Sequence, residues 1–193
     1  MSKSTIGFLV AFALVYITSA QSLETFNKER LDINKKGMLV LSSWALANLI
    51  SSPILASRTT GSTRYFHQMN GYWNTVNLAI AGLGYYSAVT GDSSGLSLAE
   101  SVREQHSIEK ILLLNTGLDA AYVTTGLFLR ERGMRKESDR LKGFGNSLVL
   151  QGGFLFAFDI VLYLVHHQHA EGLYNLLCNV TVTLNGVGMV LNF

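Results

Sequence analysis

The stretch from Ile111 to His169 reads ILLLNTGLDAAYVTTGLFLRERGMRKESDRLKGFGNSLVLQGGFLFAFDIVLYLVHHQH. Two long apolar runs, each holding one aspartate (Asp119 and Asp159), flank a short and heavily charged connection. A run of ~20 apolar residues is the length of helix that crosses a bilayer. An ionisable side chain inside such a run is costly unless it is neutral, paired or bathed by water. The stretch therefore predicts two adjacent membrane-crossing helices, each with an acid near its middle.

The rest of the chain repeats the pattern. Of 193 residues, 48% are apolar, 10% aromatic and only 15% charged, which is too little charge for an ordinary soluble domain. The charges gather at 24–36, 58–64, 92–110 and 130–142, with uncharged runs of crossing length between them. No linker divides two cores, so one membrane domain is expected. The net charge of +2 comes with no basic helix interleaved with aromatics, and so with no footprint for nucleic acid. Cys178 is the only cysteine; it excludes an internal disulfide and reads as a small buried or interfacial hydrophobe.

Taken in order, Lys3 precedes the apolar core Ile6–Ile17, and Thr18-Ser19-Ala20 places small residues where a signal peptidase reads. Residues 1–20 are expected to be a signal peptide, with a retained first span as the alternative. Residues 21–37 form an extracytoplasmic lead-in, either solvated or a short interfacial helix. Residues 38–169 are expected to be a four-helix transmembrane domain. Its first span, Met38 to about Ala56, carries Trp44 and Asn48, with Pro53 in the last turn. The second, about Tyr65 to Thr90, carries Asn70, Asn74 and Asn77 on one helical stripe. The third, Ile111–Leu129, places Asn115, Asp119 and Tyr122 on a stripe. The fourth runs from near Gly143 to Val165 and holds Gln151, Asp159 and Tyr163. In residues 170–193, Val180, Val182 and Leu184 alternate with threonines ahead of Asn185-Gly186, which predicts a small extracytoplasmic β-hairpin; a further helix is the alternative. The expected fold is thus an all-α membrane protein, a four-transmembrane-helix bundle with that hairpin at its C-terminus.

Orientation follows from loop charge. The loops at 58–64 and 130–142 are rich in Lys and Arg and fall on one side of a four-span arrangement, which marks that side as cytoplasmic. Both mature termini are then extracytoplasmic, and helical spans favour the inner membrane over the outer. Asn48, Asn77, Asp119 and Asp159 each fall near mid-helix and are expected to form one intramembrane polar layer, approached past Asn70, Asn74, Asn115, Tyr122 and Tyr163. If the two carboxyls meet, they share or retain a proton.

Two readings of that layer compete: it passes or couples to protons, cations or a small solute, or it is interhelical glue in a noncatalytic scaffold or accessory subunit. Gly82, Gly84, Gly117, Gly126, Gly152 and Gly153 are expected to allow close helix approach. His106, His166 and His169 with a glutamate are a weak metal candidate, since no recognised ligand spacing occurs. No cofactor is implied; a haem would need histidines facing one another across the bundle, and His67 lies opposite the rest. There is no GxSxG, P-loop or dinucleotide fingerprint, so an enzyme is the lesser expectation. The expected company is the lipid bilayer, with a homodimer or a membrane partner protein as further options.

At Asn70-Gly71-Tyr72-Trp73-Asn74, Asn115 to Asp119 and Gln151 to Asp159, the chain resembles a family of small, functionally uncharacterised multi-span membrane proteins from the Bacteroidetes group of bacteria. The resemblance covers most of residues 35–170. It implies spans of this glycine, asparagine and aspartate character, and no chemistry.

Overall fold

The computed structural model describes the backbone of residues 3–178, 180–183 and 186–189, and side chains over residues 22–173. Four long helices make up the body: α1 (Lys3–Arg58), α2 (Gly61–Thr90), α3 (Leu98–Arg135) and α4 (Asp139–Cys178). The connections are short and carry their own stop signals. Gly61 enters α2 with φ of 58°, and Gly95 lies in the α2–α3 turn at φ of 76°, a region open to glycine at no steric cost. In the same turn the Ser94 N–H and hydroxyl both donate to Asp92, holding that carboxyl below its ordinary range. A capping box then starts α3: the Glu100 N–H donates to Ser97 Oγ and the Ser97 N–H to Glu100 Oε2, satisfying two donors that a helix start leaves open.

Cross-helix neighbours fix the directions. Gly71 faces Ser52, Gly84 faces Met38 and Gly91 faces Leu31, so α1 and α2 run antiparallel. Gly126 faces Gly145 and Val149, Gly133 faces Leu141 and Lys142, and Gly152 faces Val123, so α3 and α4 are antiparallel too. Gly143 lies against Ser62 and Phe66 while Gln151 bonds Asn70, so α2 and α4 are parallel neighbours. No Cα of α2 comes within 8 Å of one in α3, which leaves a gap between those two helices floored by α1 and α4.

Burial is inverted relative to a water-soluble domain. Leu39, Ile50, Leu83, Tyr86, Leu114 and Val161 are exposed, whereas the interior holds Asn27, Arg30, Asn74, Gln105, Gln151 and His166. Water would not tolerate so much apolar surface, but hydrocarbon is matched to it. Ser22–Arg58, Leu98–Arg135 and Asp139–Leu173 are long and apolar enough to cross a membrane. The chain is a multi-pass membrane protein.

The expected fold class is corrected on two points. The bundle has four helices, but among the described residues three rather than four meet the length and composition of a span. The exception is α2, whose Asn70, Asn74 and Asn77 lower its apolar content and are turned into the bundle. The C-terminal hairpin is withdrawn as an element of the fold. Among the described residues the short segments β1 (Val180–Thr183) and β2 (Gly186–Met189) pair only with each other, and an isolated two-stranded pair is marginal at best. The described body is helix on helix. The side chains of the expected signal peptide at 1–20, that of Cys178 and the residue Asn185 lie outside the described residues.

Candidate functional site

The expected single polar layer is divided into two zones, and a third, unforeseen one lies at one end of the bundle. The first zone joins α1, α2 and α4. The Trp44 indole N–H donates to Gln151 Oε1 at 2.9 Å, and Gln151 Nε2 donates to Asn70 Oδ1 at 3.1 Å and to Asn48 Oδ1 at 3.4 Å. Ser147 Oγ donates to the same Asn70 oxygen, while Asn77, at the edge of the second zone, donates from Nδ2 to Asn74 Oδ1 at 3.3 Å. Trp44 stacks on Phe154 with ring centroids 4.0 Å apart, fixing the indole that Gln151 meets. No buried side-chain atom of Trp44, Asn48, Asn70, Ser147 or Gln151 lacks a partner. Asn48 and Asn70 thus belong to one closed hydrogen-bond network.

The second zone is the recess between α2 and α3, about 670 Å³ in volume. Asp119 and Asp159 both line it, as do Asn77, Asn115, Tyr122 and Trp73, within walls that are otherwise mostly apolar. The two carboxyl side chains are neighbours in the wall of this recess. Asp119 is 3% exposed and Asp159 6%, so neither is solvated by the protein's surface water. Asp119 Oδ2 and the Trp73 indole Nε1 are buried with no hydrogen-bond partner. The Trp73 and Tyr122 rings meet edge to face at 4.8 Å, bringing these parts of α2 and α3 together across the gap. Tyr163 is elsewhere, stacked on His167 at 5.6 Å, and does not line the recess.

The third zone ties α1 to α3 and α4. Asn27 Nδ2 donates to Ser101 Oγ at 2.9 Å, and Arg30 donates to Glu104 at 3.3 Å. Gln105 Nε2 donates to Glu109 Oε1 at 3.0 Å and to the His166 carbonyl at 2.7 Å. His166 Nε2 lies 2.9 Å from Asn34 Oδ1, and His169 stacks on Phe26 at 4.2 Å. His106 is 3.9 Å from Glu109 instead of joining His166 and His169. The structure does not bring the three histidines together as ligands, and among the described residues no group of three or more His, Cys, Asp or Glu could hold a metal.

Sequence reasoning passed over Trp44, Ser147, Asn27, Arg30, Ser101 and Gln105 as site residues, and noted Gln151 without giving it a role. A signal was there. Ser147 and Gln151 are four apart, Ser101, Gln105 and Glu109 recur at four, and Asn27, Arg30 and Asn34 at three and four, each the spacing of one helix face.

Residues 40–160 match the family described as "Family of unknown function (DUF6992)". The chain belongs to this family. The matched range contains the closed network and both aspartates, and ends before His166. No curated protein and no solved structure matches the chain.

Proposed function

We propose that this DUF6992 member is a noncatalytic membrane scaffold or accessory subunit whose polar interior fixes the register of its helices. One observation carries the reading: Gln151 bonds Trp44 and Asn48 on α1 and Asn70 on α2 at once, with every buried atom of that network satisfied. A network closed on itself locks packing and has nothing left over for a solute. Interhelical hydrogen bonds in membranes are worth about 0.6 kcal/mol each on average, so their value here lies in register as much as in stability. As a scaffold the protein would work in the inner membrane with its basic loops cytoplasmic and both termini outside, beside a second copy or a membrane partner.

A second reading is favoured by a different observation, the pairing of Asp119 and Asp159 in the wall of one recess. Two neighbouring carboxyl groups can hold a proton between them, which is the minimum equipment for proton or cation passage. Proton and cation flux into liposomes holding the purified protein decides between the two. The scaffold reading expects no flux above empty liposomes, with Asp119→Asn and Asp159→Asn unchanged in that respect. Flux that vanishes in either folded variant would overturn it in favour of passage.

A further inference from the structure

The two polar zones inside the membrane body differ in one respect: the network around Gln151 is complete, and the recess is not. In the recess, a buried donor and a buried oxygen stand unused on facing helices, Trp73 Nε1 on α2 and Asp119 Oδ2 on α3. A buried polar group left without a partner costs about 1–3 kcal/mol, and native interiors seldom leave two on the walls of one cavity.

The chemistry of these two atoms narrows what would complete them. An indole N–H can only donate, so its partner must accept. A carboxylate accepts, so its partner must donate. A hydroxyl does both from a single oxygen, whereas an ammonium cannot accept and an ether or ester cannot donate. Water has the same dual capacity, but one water occupies about 30 Å³ and the recess holds about 670 Å³, between walls such as Val76, Ile80, Leu112 and Leu155. Space of that size and lining calls for an apolar body behind the polar head, and the volume is within the range of ~300–1,000 Å³ usual for small-molecule sites. The α2 and α3 backbones stand apart along the recess, bridged by the Trp73–Tyr122 ring contact.

We propose that the recess between α2 and α3 binds an apolar molecule bearing a hydroxyl group, which donates to Asp119 and accepts from Trp73. Neither Trp73 nor Asp119 shares a hydrogen bond with the Gln151 network, so this proposal and the scaffold reading fail independently. The occupant is either a hydroxylated lipid of the bilayer or an amphiphilic alcohol that arrives from outside it; both present the same head to the same two atoms.

The test uses the full chain in nanodiscs of dioleoylphosphatidylcholine, which has no free hydroxyl. Three photoreactive probes of one chain length are compared: a diazirine-bearing alkanol, its methyl ether and the parent hydrocarbon. The alkanol should label the α2 and α3 peptides around Trp73 and Tyr122 about fivefold or more above the ether, the worth of about one hydrogen bond. Asp119→Leu should abolish the preference for alkanol over ether. Trp73→Phe, which keeps the ring and removes the N–H, should lower both oxygenated probes toward the hydrocarbon; it also provides a folded variant if Asp119→Leu does not fold. Equal labelling by the three probes would overturn the proposal and leave a lipid-filled groove. Stronger labelling by the corresponding alkylamine than by the alkanol would overturn it in favour of a cation site. Given a preference for the alkanol, solvent extraction and mass spectrometry of the purified protein tell the sources apart: a co-purifying hydroxylated lipid identifies the bilayer, and its absence identifies an amphiphile from outside.

Discussion

Gln151 spends both ends of its amide on other helices, accepting from Trp44 and donating to Asn48 and Asn70. Replacing it by leucine removes three bonds and strands the Trp44 N–H in an apolar setting. At membrane values near 0.6–1 kcal/mol per bond, Gln151→Leu should cost about 2 kcal/mol. Ser51→Ala, which removes only bonds to its own helix backbone at an exposed position, should stay within about 0.5 kcal/mol. Denaturant unfolding in detergent micelles would measure both, and equal effects would remove the network's claim to organise the fold. This residue also marks a limit of the sequence. Aspartates inside apolar runs are conspicuous because charge there is costly, so Asp119 and Asp159 were legible as interior residues and do line one recess. Neutral amides carry no such penalty and blend into a polar stripe, so the split between Asn48 and Asn77 could not be seen from mid-helix depth alone.

Among the helices, close approach is concentrated on the pair α3 and α4. A Cβ at Gly145 would lie 2.6 Å from the Gly126 carbonyl oxygen and one at Gly126 2.8 Å from the Gly145 oxygen, both against backbone that cannot step aside. A Cβ at Gly117 or Gly153 would meet no other part of the protein within 4 Å. Gly126→Ala and Gly145→Ala should therefore destabilise the bundle by about 1–3 kcal/mol through overpacking. Gly117→Ala and Gly153→Ala should be neutral or stabilising by up to about 1 kcal/mol through helix propensity. The same unfolding series checks all four, and loss of stability at Gly117 would contradict the packing. Of the glycines expected to permit close contact, Gly84, Gly126 and Gly152 do so, whereas Gly82, Gly117 and Gly153 face open space. Composition reveals that small residues are present; which side of a helix meets a neighbour depends on rotation about its axis. The order of long helices was legible for the opposite reason, since uncharged runs bounded by charge clusters depend only on order along the chain; their bounds were not, and α1 runs unbroken through the expected lead-in at 21–37. The status of α2 was not, because burying its asparagines against α1 and α4 is a tertiary matter.

For the molecule as a whole, the basic turn after α3 and the glycine-serine turn before it lie at opposite ends of a membrane-crossing helix. If the basic side is cytoplasmic, Ser93→Cys in a Cys178→Ser background should react with an impermeant thiol reagent applied outside intact cells, and Arg135→Cys should react only after permeabilisation. The reverse pattern would invert the protein in its membrane. The seam of Gly126, Gly133, Gly145 and Gly152 has a further, mechanical consequence. Backbones in such close contact have little room to slide, so α3 and α4 should behave under load as one doubled rod. In single-molecule pulling from the C-terminus, the first rupture should release both helices together, the contour of residues 98–178 at about 3.6 Å each, and the α1–α2 pair should yield separately afterwards.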